Sequence, residues 1–182
     1  MVLPRPRRLF LPLLALLLAL AGTGCNTVTT GTAGGRAGKP VTTTGRVLSR
    51  DAVRENVPGV IMGDRAYAEV NSAWLHEWYD TFRAELFRLG IVKWDGRFDC
   101  NRFADVYAGM AQAWFFRETF HSNIQAQALA LGPFWYQRAD GSGGHAVIQA
   151  LTERGRVFID PQTGGEVELS VHERMSAFLQ YF

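Results

Sequence analysis

Before Val47 the chain carries nothing from which a folded core can be built. Arg5, Arg7 and Arg8 precede an apolar run from Leu9 to Ala21, broken only by Pro12. A bilayer-spanning helix needs about 20 residues, so this run is too short to cross one. It matches the apolar core of a secretory signal. Residues 26–46, NTVTTGTAGGRAGKPVTTTGR, are mostly Thr, Gly and Ala. Such a stretch has too little to bury to offset the entropy of ordering it, and it reads as a flexible tether spanning roughly 25 Å. The fold is thereby confined to residues 47–182, the size of a single domain.

The charge balance depends on the same N-terminus. The whole chain carries 19 basic and 17 acidic residues, a net +2. Removing Arg5, Arg7 and Arg8 leaves 16 basic residues against 17 acidic, a net −1. That balance, with no basic patch, argues against nucleic acid as a partner. The composition is 47% apolar and 20% charged, which excludes a disordered, collagen-like or coiled-coil chain.

The apolar run ends in Leu20-Ala21-Gly22-Thr23-Gly24-Cys25. Small residues crowding up to a cysteine resemble a bacterial lipoprotein signal, although Thr23 departs from the commonest box. The resemblance implies that residues 1–24 are removed. Cys25 would then carry diacylglycerol on sulfur and a fatty acyl chain such as palmitate on its amine, so that residues 25–46 become a lipid-anchored tether. Several acyl chains hold a protein stably where one does not. Asn26, being non-acidic, implies by the same resemblance an outer-membrane location facing the periplasm.

Cys25 and Cys100 are the only cysteines. With Cys25 lipidated, Cys100 has no intramolecular disulfide partner, and an unpaired thiol in an oxidising compartment is either buried or used. Apolar residues recur at Phe103, Val106, Tyr107, Met110, Trp114 and Phe115 with helical spacing. Asp99 suits the N-cap, which places Cys100 in the first turn. Free N–H groups and the helix dipole favour a thiolate there.

A nucleophilic thiol needs a base. His76 sits among Trp74, Leu75, Trp78, Tyr79 and Phe82 in a helical stretch from Ser72 to Leu89, and reads as a packing or surface residue. His121 lies 21 residues along from Cys100, roughly 30 Å in a continuous helix. His172 falls in a short last helix opened by a Ser170–Glu173 capping box. His145 differs from all three. It follows the loop Asp140-Gly-Ser-Gly-Gly144 and opens the strand Ala146–Leu151, and a turn at 152–155 leads to a second strand ending at Asp160. His145 and Asp160 can then pair near the open end of a hairpin, with the acid orienting the imidazole.

The segments Phe98-Asp99-Cys100-Asn101-Arg102-Phe103-Ala104 and His145-Ala146-Val147…Asp160-Pro161 together resemble the papain-like and transglutaminase-like cysteine peptidases. The resemblance covers residues 94–165. It implies Cys100 as nucleophile, His145 as general base and acid, and Asp160 as orienter. The oxyanion donors implied are the N–H of Cys100 and a second group from Trp94 or Gln162. It also implies an α+β fold with a papain/transglutaminase-like core, N-terminal helices packed on a small antiparallel sheet. Elsewhere, Ala126–Leu131 reads as a short helix, Phe134–Tyr136 as a strand, and Ala52–Tyr67 as irregular cover.

The expected function is a lipid-anchored envelope thiol hydrolase working through a thioester. Water resolving that thioester makes it a peptidase or amidase, and an amine makes it an acyltransferase. Its substrates would be peptides or proteins, peptidoglycan stem peptides among them by location. No metal-ligand spacing or phosphate loop occurs, and no cofactor is implied. The alternative is a non-enzymatic envelope lipoprotein that uses the same fold as a binding module.

Overall fold

The computed structural model of the protein describes residues 40–182. The signal run, Cys25 and most of the tether lie outside the described residues. The elements run β1 (Thr43–Ser49), α1 (Arg50–Asn56), β2 (Ala66–Val70), α2 (Ser72–Arg88), α3 (Cys100–Thr119), β3 (Ala128–Leu129), β4 (Leu131–Gln137), β5 (Gly144–Thr152), β6 (Gly155–Ile159), α4 (Val171–Met175) and β7 (Leu179–Gln180). The fold is α+β. Its sheet is larger than expected, with seven strands in the order β1-β2-β5-β4-β7, β3 pairing with β2 and β6 with β5. It is also mixed, because β2 runs parallel to both β3 and β5 while the other pairs are antiparallel.

Local chemistry sets the helix ends. The Asp99 carboxylate accepts from the N–H groups of Asn101 and Arg102, so α3 starts at Cys100 as its cap residue dictates. The Asn71 side chain accepts from Trp74 N–H to open α2, and Gly90 follows its end at φ +77°. Ser170 and Glu173 form a capping box on α4. Ser49 caps α1, a helix that runs into the stretch Ala52–Tyr67 expected to be irregular.

Strand alternation divides the interior into two layers. Ala146, Ile148 and Ala150 of β5 face α2 and α3, where Trp74, Trp78, Phe82, Phe103, Tyr107 and Phe115 are buried. Trp74 stacks on Trp78 with centroids 5.4 Å apart, and Trp78 meets Tyr107 edge to face at 6.3 Å. Burying each such ring contributes about 2 kcal/mol. On the other face, Phe134, Tyr136, Val147, Phe158 and Leu169 form a second cluster. A third cluster packs Val53 of α1 and Val57, its C-cap, against Tyr67, Leu151 and Phe182.

Two expected elements are replaced. Ala126–Leu131 is not a helix, since Tyr67 and Ala68 of β2 pair with Ala128 and Leu129, and Leu131 opens β4 against Ala150. Thr43–Arg46 belong to β1 rather than to the tether, because Thr43 pairs with Val70.

Candidate functional site

Cys100 is half-buried at the first position of α3, and its Sγ–H lies 3.6 Å from Asn101 Oδ1. It packs at the margin of the core layer shared by α2, α3 and the sheet. His145 is 8% exposed and pairs in register with Tyr136. The β5 pleat that turns Ala146 and Ile148 toward α3 starts His145 and Val147 toward the opposite layer. There the imidazole meets the Tyr136 ring edge to face at 5.9 Å. His145 Nδ1 is buried without a hydrogen-bond partner. Burial first, and then the Arg138 charge, hold this imidazole below its ordinary value of 6.5, with Asp160 opposing them.

Asp160 lies one residue past β6. The ladder to β5 ends at Ile148–Ile159, so Asp160 and His145 are not a cross-strand pair. Instead Asp160 organises the turn that follows it. Its Oδ1 accepts from Gln162 N–H at 2.8 Å, and its carbonyl accepts from the N–H groups of Thr163 and Gly164. Tyr79 of α2 closes the same turn by donating to the Gln162 carbonyl at 2.9 Å. The Gln162 N–H is therefore already engaged, and Trp94 is 57% exposed in the loop before α3. No hydrogen bond joins Cys100, His145 and Asp160 among the described residues. Of the other histidines, His76 contacts Glu166 at 3.2 Å and His121 meets the Phe120 ring edge to face. His172 is exposed on α4.

Two concavities are lined by other residues. One of about 490 Å³ is lined by Arg156, Arg174, Phe178 and Gln180, together with Pro58, Gly59 and Ile61. Another, of about 500 Å³, lies along residues 90–98. Arg156 and Arg174 were absent from the residues singled out by sequence. The signal that marks Arg156 is an arginine set in the otherwise apolar strand Val157-Phe158-Ile159. No cluster of three or more His, Cys, Asp or Glu side chains suited to a metal occurs among the described residues.

No family model matches the chain, and no curated protein sequence matches it significantly. Solved structures do match in fold. One is the Polyporus squamosus lectin bound to the human-type influenza-binding epitope Neu5Acα2-6Galβ1-4GlcNAc. It is 19% identical, with a TM-score of 0.57, over 75% of this chain and 49% of the lectin. Another is a complex of PSL1a with E64, 20% identical, with a TM-score of 0.53, over 74% of this chain and 50% of that one. The chain thus spans about half the length of the structures it matches.

These matches overturn the assignment drawn from residues 94–165. The fold is shared with part of a lectin, and the papain-like/transglutaminase-like cysteine-peptidase reading, with its thiol-hydrolase activity, is withdrawn. The physical reason the motifs misled is local. Asp-Cys at a helix start is an N-cap, and Asp-Pro after a strand is a turn. Each has a structural role here that needs no catalysis.

Proposed function

We propose that this protein is a non-enzymatic binding module with a carbohydrate ligand, presented from the bacterial cell envelope. The observation that carries the reading is the fold match over three-quarters of the chain to a lectin whose structure holds a sialylated trisaccharide. The site geometry supports it. Cys100, His145 and Asp160 are not hydrogen-bonded to one another, and Asp160 is engaged in closing a turn. The N-terminal signal run ending at Cys25 supports lipid anchoring, and Asn26 supports the outer membrane, facing the periplasm.

The test uses the chain from Cys25 onward in detergent micelles, applied to an array of neutral and acidic oligosaccharides. The expected result is saturable binding to a defined glycan, retained in Cys100→Ala and His145→Ala. Absence of glycan binding together with amide hydrolysis abolished by Cys100→Ala overturns the reading.

A further inference from the structure

Arg156 is a half-buried charge that makes no ion pair among the described residues. On β6 the pleat turns Val157 and Ile159 toward the helices, and sends Arg156 and Phe158 to the opposite face. The guanidinium there lies between two rings, with Cζ 5.0 Å from the Phe134 centroid and 4.8 Å from that of Phe158. Its Nη2 donates to Gln149 Oε1 at 2.5 Å and to Gln180 Oε1 at 2.9 Å, and both acceptors are neutral amides. Nε is buried with no acceptor, and Nη1 has none among the described residues. Burial, with the nearby Arg174 charge, pushes the group down to about 10, which leaves it charged at neutral pH.

Arg174 lines the same cavity from α4 and makes no ion pair among the described residues. The carboxylates nearby are otherwise placed. Glu166 is held by Arg154 and His76, and Glu173 accepts from Ser170 and from Ala139 N–H. Glu168 lines an adjoining groove that Glu166, Arg156 and Arg174 also border, and it makes no ion pair with either arginine among the described residues. Two arginines facing one cavity repel each other, and partly desolvating a charge that has no ion-pair partner is unfavourable. An anion between them relieves both penalties, and a planar oxyanion suits the guanidinium fork. Ile61, Met175 and Phe178 are 61%, 81% and 56% exposed on the cavity wall, an apolar surface for the body of a ligand.

We propose that this cavity of about 490 Å³ is an oxyanion site, in which Arg156 and Arg174 take the carboxylate or phosphate group of a sugar-sized ligand. The proposal rests on the binding-module reading in one respect, that the ligand is held and released unchanged.

Calorimetric titration of the lipid-anchored chain in micelles, with galacturonate, galactose and inorganic phosphate, tests it. Galacturonate and galactose share most of the ring and differ at the acid. Galacturonate is expected to bind, with galactose weaker by about tenfold or more. Arg174→Ala, on an exposed helix, is expected to weaken galacturonate by a similar factor without altering Tm. Arg156→Lys keeps the charge, loses the fork and is expected to weaken galacturonate as well. Phosphate competing with galacturonate supports the shared oxyanion chemistry. Phosphate binding without galacturonate supports it too, with free phosphate as the source. Equal binding of galactose and galacturonate, or undiminished binding by Arg174→Ala, overturns the site. Neutral glycan binding with no response to either anion overturns this site alone and leaves the binding-module reading in place.

Discussion

Gly132→Ala is the substitution whose cost can be worked most directly from the structure. Gly132 sits in β4 opposite Gln149, and the last residues of the chain cross over it. A Cβ there would land well inside contact distance of the Tyr181 carbonyl oxygen. It would also lie 3.0 Å from that carbonyl carbon and 3.2 Å from Phe182 Cδ1. The two nearest obstructing atoms are Tyr181 backbone, so no rotamer change relieves the clash, and the C-terminal segment must move away. That movement strains the bonds from Phe182 N–H to the Ile61 carbonyl at 3.0 Å and from Gly63 N–H to the Phe182 carbonyl at 3.3 Å. It also loosens the Phe182 ring, now 9% exposed and 6.0 Å from Tyr67. Two weakened hydrogen bonds at about 1 kcal/mol each, with part of a ring burial worth about 2 kcal/mol, give about 3 kcal/mol. Overpacking of this kind usually costs about 1–3 kcal/mol. For a domain of this size the loss corresponds to a fall in Tm of roughly 10 °C. The assay is reversible urea and thermal unfolding followed by circular dichroism. Gly63→Ala is the control, since its added Cβ meets only the Phe182 carbonyl, at an ordinary 3.9 Å. A Gly132→Ala loss below about 1 kcal/mol, or equal losses for the two variants, refutes the close-approach argument.

Three further outcomes are expected. His145 has a folded value depressed below 6.5, so the unfolded chain takes up this proton first as pH falls. Its contribution to stability is therefore complete above pH 6.5 and declines as pH drops toward the folded value. Urea unfolding from about pH 7.5 to pH 5 should show that decline in the native protein and lose it in His145→Gln, and an identical pH dependence in both refutes it. Asp99→Ala removes the α3 cap and should cost about 1 kcal/mol by urea unfolding, while Asp99→Asn recovers most of it, and equal losses from both changes would contradict the cap. On the proposed lipid anchor, cells expressing the full chain with labelled palmitate should yield a labelled protein, and Cys25→Ala should not. Label persisting in that variant places the acyl group elsewhere.

Much of the fold was legible where neighbouring residues decide the conformation. Asp99 before an amphipathic stripe, Ser170 three residues ahead of Glu173, and Gly90 after an apolar helix face all act within one turn of backbone. The hairpin of β5 and β6 was legible for the same reason, since alternation and the turn at 152–155 are local signals. Ala126–Leu131 was not. Alanine, glutamine and leucine favour a helix locally, and pairing with β2 and β5 overrides that preference with sheet hydrogen bonds and burial. The α1 helix escaped notice because it is one short segment with a single buried residue, Val53, and little periodicity to detect.

The same division runs through the candidate site. By itself the sequence determined that Cys100 begins a helix and that His145 enters a strand, because capping and alternation depend on adjacent residues. It also determined that Asp160 stands at a turn. Whether the three side chains meet depends on which face of the sheet each occupies and where the ladder stops. That is a matter of tertiary structure, which packs Cys100 against the layer under α3, sets the His145 ring against Tyr136 within reach of the Asp160 charge, and engages Asp160 in its own turn. The pairing of Arg156 with Arg174 across a cavity was likewise invisible in the chain, since 18 positions separate them and packing alone brings them together.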